Sequence, residues 1–175
     1  MLRQIPNNIM NVYLAGIMLG GEFQKPTVDW RYKVRKHYHD WKAKGMYEIR
    51  FLDPWNGEVN AEIDNEGLTN DKLSAKLIYS GDKESIQRAD IIVANLNSYN
   101  STRPIIGTFF ECGMALAWDK PLILIVPEDK FVQYSNHPFT AQAVGVYKSV
   151  DEFLESKILN FFYKRINNAN YEWEI

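Results

Sequence analysis

Two apolar runs restrict what this chain can fold into more than any other feature: IIVANL at 91–96 and PLILIV at 121–126. Each is of strand length, rich in branched residues, and lacks the alternation of a half-solvated strand. A strand with no polar face must be covered on both sides, as the central strands of a parallel sheet are. Three weaker strand signals accompany them, at Asn11 to Gly16, Tyr47 to Leu52 and Val144 to Val150. Helical spacing fills the intervals. Trp30, Val34, Tyr38 and Trp41 share one face of a segment that Gly45 is placed to stop, and the positive charges on its other face read as solvated surface. A second helix is expected from about Asp71 to Arg88, broken near Ser80 and Gly81, and a third opens at Gly107 and closes at Asp119 and Lys120. A fourth runs from Asp151 to Ile166 with Leu154, Ile158, Phe161 and Phe162 on one side, after a loop from Glu128 to Ala141. This alternation predicts one doubly wound α/β domain, flavodoxin-like or Rossmann-like, with a five-stranded parallel sheet and helices on both faces. The domain is expected over 11–166, between an amino-terminal arm at 1–10 and a tail at 167–175.

Composition narrows the function classes. The 175 residues, 46% hydrophobic, suffice for one core. Lys plus Arg number 20 against 22 Asp plus Glu, so no global basic field points to a nucleic acid polymer or an acidic membrane. A single cysteine, Cys112, excludes an internal disulfide, and His37, His39 and His137 have no recognisable metal-ligand spacing. Neither metal nor cofactor is expected. No apolar run approaches the roughly 18 residues of a membrane span, and the start of the chain lacks a signal peptide's apolar region, so the expectation is a cytoplasmic protein.

In a doubly wound sheet, ligands sit in the crevice beyond the carboxyl ends of the strands. That rule gathers Gly16 to Gly21, Asp53-Pro54-Trp55, Asn95 to Gly107 and Glu128 to Asn136 into one place, with the long stretch Asn56 to Asn70 as a candidate flap. The crevice has no GxGxxG, no GxxxxGK[ST] and no GxSxG, which removes dinucleotide, P-loop and serine-hydrolase readings. Its best chemical group is Glu111 in Gly107-Thr-Phe-Phe-Glu-Cys-Gly113. Placed in the first turn or so of a helix, that carboxylate would be kept ionised by unpaired N–H groups and the helix dipole. The stretch alone leaves two readings open, a nucleophile or a residue that only complements the dipole. Cys112 projects about 100° away from Glu111 on a helix and should turn from the crevice. Tyr13, Asp53, Asp82, Asn95 and Asn136 are candidate company, and Trp55 or Tyr99 are candidates to stack on a base. Carboxylates beside a sugar perform glycosyl chemistry.

Five segments carry a resemblance: VYLAG at 12–16, the WR pair at 30–31, LDP at 52–54, YSGDKESIQRADIIVANL at 79–96 and GTFFECGMALAWDKPLILIVPED at 107–129. In this order they resemble the nucleoside 2-deoxyribosyltransferase family, including its phage and bacterial relatives. The resemblance implies that Glu111 is the nucleophile that attacks the anomeric carbon, that Tyr13 orients it, and that Asp82 contacts the base. It implies that Asn136 binds the sugar hydroxyls of a neighbouring subunit's site, hence a homo-oligomer acting on small nucleosides and nucleobases. Gly16, Asp53, Asn95 and Gly107 are expected as substrate-binding positions around them. Asp90, in the family's alanine-aspartate pair, precedes its strand and reads as structural. One departure bears on substrate: Ile105 stands where the transferases usually carry an aspartate. Related monophosphate N-glycosidases lack that aspartate as well and hold phosphate with small polar and basic residues, a role open here to Ser101, Thr102 and Arg103. Transfer between bases is therefore the leading expectation, with nucleotide hydrolysis or non-catalytic nucleotide binding as alternatives.

Overall fold

The computed structural model describes residues 9–19, 24–43, 48–54, 63–64, 67–68 and 75–168. Five parallel strands form the sheet in the order β2-β1-β5-β6-β7: β1 Ile9–Gly16, β2 Glu48–Leu52, β5 Ile91–Asn95, β6 Leu122–Ile125 and β7 Gly145–Tyr147. Two short strands, β3 Ile63–Asp64 and β4 Gly67–Leu68, pair antiparallel apart from it. The helices are α1 Gln24–Ala43, α2 Ala75–Arg88, α3 Ile106–Ala117, α4 Phe131–Ser135, α5 Val150–Ser156 and α6 Ile158–Asn168. The all-parallel, doubly wound architecture is as expected from the two apolar runs, and both of those strands are buried throughout.

Side-chain alternation along the strands divides the core. Met10, Val12 and Leu14 of β1 join Ile91, Val93, Ile123 and Ile125 in a core completed by Trp30, Val34 and Tyr38 of α1 and by Phe153, Leu159 and Phe162 of α5 and α6. Tyr13, Ala15, Ile92, Ala94, Leu122 and Leu124 point the other way, against Ile86 of α2 and Cys112 and Ala115 of α3. Burying each large branched side chain contributes about 1.5–3 kcal/mol, which explains why α3 needs no strong cap. Its N-cap is Ile105, with no side-chain hydrogen bond; the missing cap costs about 1 kcal/mol. Thr108, Cys112 and Ala115, at positions i, i+4 and i+7, bury the stripe that holds it down.

The order of strands reverses between β1 and β5, where Gly16 pairs with Asn95 at the carboxyl edge. This is the switch point at which such sheets open a crevice. At the opposite edge, the Asp90 carboxylate accepts from the Asn11 backbone N–H at 2.7 Å, and the Asp90 N–H donates to the Asn11 carbonyl at 2.8 Å. Asp90 thus ties the end of α2 to β1, the structural task read for it.

Several boundaries differ from the sequence reading, each for a physical reason. Helix α2 runs unbroken through Ser80 and Gly81, since a single glycine costs a helix interior only about 1 kcal/mol and the Ser80 hydroxyl is satisfied inside the helix by the Lys76 carbonyl at 2.8 Å. The single helix expected over 151–166 is two, since Lys157 adopts the left-handed conformation at φ 55°. That break shifts the helical phase, so Phe161 is exposed while Leu159, Phe162 and Tyr163 are buried. Between Glu128 and Ala141, α4 and two 3-10 turns, Glu128–Lys130 and Thr140–Gln142, replace the expected loop. Helix α1 starts at Gln24, ahead of Asp29, and β1 takes in Ile9 and Met10 from the expected arm. Trp55, most of the candidate flap and the tail beyond 168 lie outside the described residues.

Candidate active site

The stripe of α3 that buries Thr108, Cys112 and Ala115 leaves Gly107, Phe110, Glu111 and Met114 on the adjoining face. That face, with Ile78, Tyr79 and Asp82 of α2 and the segment Gly16 to Met18 after β1, encloses a cleft of about 530 Å³. Arg103, Pro104 and Ile105 close its rim. The cleft lies at the carboxyl edge, on the side of the sheet to which Tyr13 points.

Within it, the Tyr13 hydroxyl donates to Glu111 Oε1 at 2.6 Å, short for a neutral donor and in the range of hydroxyl-to-carboxylate bonds. The two residues are 98 positions apart in sequence. Burial pushes the Tyr13 phenol well above its ordinary pKa, and the charges of Glu111 and Asp82 push it further, so the phenol keeps its proton and donates. It has one proton to give, and Glu111 receives it; Asp82 is near the same hydroxyl. Burial also raises the Asp82 carboxyl, against the opposing pulls of Tyr13 and of the Arg31 charge. Asp82 therefore gains a proton more readily than an ordinary aspartate. A carboxyl that takes up a proton readily, beside a second carboxylate held by a phenol, can supply a proton next to a nucleophile.

Glu111 is the sixth residue of α3, in the second turn, and no acidic residue occupies the first. The helix-dipole reading consequently falls away: dipole effects fade beyond the first turn. Asp82 lies in mid-α2, away from either helix end. Cys112 turns into the core, where burial raises its thiol pKa and makes it a poor nucleophile. Gly107 lines the cleft, and a Cβ there would meet nothing. At Gly16 a Cβ would lie 3.0 Å from Trp30 Cζ2 and 3.3 Å from Arg31 Nη2, so any side chain there would press on both neighbours and force them to shift by a few tenths of an ångström.

Other expected residues are placed elsewhere. Asp53 is buried at the end of β2, with Oδ1 3.3 Å from Arg31 Nε and Oδ2 3.4 Å from Arg35 Nη1, and is not among the residues lining the cleft. Asn95 organises the turn after β5: its Oδ1 accepts from Asn97 N at 3.1 Å and its Nδ2 donates to the Tyr99 hydroxyl at 3.0 Å. Tyr99, whose phenol burial pushes up to about 12, accompanies Asn95 in a hollow on the other face. Asn136 is exposed just after α4 and is absent from the cleft wall of its own chain. Of the three residues after the turn, Arg103 lines the cleft and donates to the Met18 carbonyl at 3.3 Å, whereas the Ser101 hydroxyl accepts from Arg103 N.

Among the described residues the aromatics lining the cleft are Tyr79 and Phe110, both largely exposed. Sequence reading passed over both. Facing positions on α2 and α3 could have revealed them only once the packing of those helices was known. Arg31, fully buried behind Gly16, was taken with the solvated charges of α1.

The nucleoside 2-deoxyribosyltransferase family model matches residues 12–159. No curated protein matches the chain significantly. Among solved structures, a conserved protein from Enterococcus faecalis V583 is 19% identical with a TM-score of 0.57, over 87% of this chain and 99% of that one. A 2-desoxiribosyltransferase from Leishmania mexicana is 18% identical with a TM-score of 0.55, over 86% and 97%. The solution structure of BlsM is 20% identical with a TM-score of 0.55, over 96% and 98%. At such identities these likenesses speak to the fold alone. The family match spans most of the described domain, from β1 into α6, and on it the chain belongs to the nucleoside 2-deoxyribosyltransferase family.

Proposed function

We propose that this protein transfers a 2-deoxyribosyl group between nucleobases by double displacement through Glu111. The observation that carries the reading is the bond of 2.6 Å from the Tyr13 hydroxyl to Glu111 Oε1, beside Asp82, in a cleft walled by apolar side chains. A carboxylate held by one oxygen keeps its other oxygen oriented for attack. That oxygen forms a bond to the anomeric carbon as the bond to the base nitrogen breaks, its electron pair leaving with the base. Asp82 in its protonated form supplies the proton that the departing base takes up. In the second half the Asp82 carboxylate accepts a proton from the incoming base, whose nitrogen attacks the same carbon and releases Glu111. Tyr79 and Phe110 offer the base its flat contacts.

A second copy of the chain is part of the proposal, with the partner subunit's Asn136 reaching the sugar hydroxyls. Sedimentation that finds only monomers would remove that part. A hydrolytic variant, release of base from deoxynucleoside monophosphates with water as acceptor, is favoured by one observation, the guanidinium of Arg103 at the rim. Incubating each 2′-deoxynucleoside and its monophosphate with and without adenine, then separating the bases, tests the proposal. Exchange that needs an acceptor supports transfer, acceptor-independent release that is faster for monophosphates supports hydrolysis, and tight binding without turnover would reduce the cleft to a sensor.

A further inference from the structure

Arg31 is the largest fully buried side chain of the described residues, and its surroundings are built rather than incidental. Its Nη2 donates to the Gly16 carbonyl at 2.7 Å, its Nη1 donates to the Thr27 carbonyl, and its Nε lies 3.3 Å from Asp53 Oδ1. The guanidinium carbon sits 4.7 Å from the Trp30 ring centroid. Gly16 is the last residue of the strand that carries Tyr13, and it begins the wall of the cleft. A Cβ at Gly16 would lie 3.3 Å from Nη2, so the strand end and the guanidinium are fitted to each other. A buried cation is costly to hold, and burial lowers its pKa despite the opposing charges around it. A structural tie between α1 and β1 could be had from a neutral donor at less expense.

We propose that Arg31 is a positioning residue of the cleft: from behind, its guanidinium fixes the Gly16 carbonyl, and its charge acts on the carboxylates of Glu111 and Asp82. The inference rests on the reading of Glu111 as nucleophile given above. Asp53 at the end of β2 touches Arg31, and the charges of Glu111 of α3, Tyr99 after β5 and Tyr13 of β1 also act on it, as its own charge acts on Asp82 of α2. Asp53 is divided between Arg31 and Arg35, so it does not serve Arg31 alone. The wall is gripped twice, by Arg31 at Gly16 and by Arg103 at Met18. Only Arg31 is withdrawn from solvent, where its charge is least screened.

The test compares the full-length wild type with Arg31→Met and Arg31→Lys, measuring kcat, KM and the pH dependence of glycosidic cleavage of a 2′-deoxynucleoside. Folding is followed by circular dichroism. Arg31→Met should lower kcat about 30-fold with a smaller change in KM, because an interaction that positions the nucleophile is lost. Loss of the cation makes both carboxyls harder to ionise, so the acidic limb of the kcat/KM profile should move up by about one pH unit. Arg31→Lys keeps the charge and loses the fork that spans Gly16 and Asp53; its limb should stay while kcat falls about tenfold. A folded Arg31→Met with unshifted limb and unchanged kcat would overturn the proposal. A lower kcat with an unmoved limb would overturn its electrostatic half and leave a purely structural tie. If Arg31→Met does not fold, Arg31→Lys decides: kcat equal to wild type sinks the proposal. Absence of any cleavage by the wild type would instead bring down the functional reading, and this inference with it.

Discussion

Two hollows open at the carboxyl edge of the same sheet, one between α2 and α3 and the other beside α1. The second, of about 380 Å³, is lined by Lys33, Asn95, Asn97, Tyr99, Lys148 and Asp151 among others. By polarity it looks the better binding site. Its groups are engaged with one another, however: Lys33 pairs with Asp151 at 2.5 Å, Lys148 with Glu128 at 3.4 Å, and Asn95 holds its own turn. In the first hollow the Tyr13 phenol and the Glu111 carboxylate meet at the wall, and Asp82 faces the same space. Topology selects the edge of a parallel sheet, but strand parity selects the face. Tyr13 points to the α2 and α3 side, while Val12 and Leu14 point into the core beneath α1. Shifting β1 by one residue would carry the phenol to the wrong hollow.

The contrast can be broken most severely at Glu111. Glu111→Ala should reduce base exchange by about 10⁴-fold or more, as loss of a nucleophile does, measured by chromatography of the released bases. Asp82→Asn comes next, with a loss of about 10²-fold, the usual scale for removing a proton donor. It should also abolish the alkaline fall in rate expected of the wild type as pH passes through the raised pKa of Asp82. The sign for stability is opposite. Because the folded-state pKa of Asp82 is raised, the native state binds more protons than the unfolded one between the ordinary carboxylate range and the raised value, and wild-type stability falls as pH climbs through that window. Asp82→Asn removes that burden; partial exposure keeps the effect small, a Tm rise of about 2 °C at neutral pH by calorimetry. Tyr13→Phe keeps the ring in the core and deletes a charge-assisted hydrogen bond, so kcat should fall about 10- to 30-fold with the fold intact. The smallest effect belongs to the second hollow: Lys33→Ala combined with Lys148→Ala should alter kcat/KM by less than about twofold, since exposed ion pairs contribute little. A large loss there would move the site to the other face.

The fold was legible where the residues left a single solution. Residues 91–96 and 121–126 lack the alternation of a half-solvated strand, which marks them as central strands, and the glycine that ends β1 marks the ligand edge. Glu111, Tyr13, Asp82, Gly16 and Gly107 are candidates on sequence grounds; in the structure Tyr13 bonds Glu111, and Asp82, Gly16 and Gly107 line the same cleft from three elements. What was not legible depends on partners distant in sequence. The charges of WRYKVRKHY look alike on paper, yet α1 buries Arg31 and leaves Tyr32 and Lys33 in solvent, because residue 31 is the one placed to meet both the Gly16 carbonyl and Asp53, while Arg35 reaches Asp53 alone. The arginine partners of Asp53, Arg31 and Arg35, are likewise invisible from LDP alone. The left-handed Lys157 gives no propensity signal and divided a helix that the apolar spacing had joined.

The central claim is that Glu111 bonds to the sugar. Acid-quenching the protein during turnover of a 2′-deoxynucleoside, followed by intact-mass and peptide mass spectrometry, tests it most directly. A deoxyribosyl adduct is expected on the peptide containing Glu111, absent from Glu111→Ala. Turnover without an adduct in the wild type, together with exchange surviving in Glu111→Ala, would contradict it.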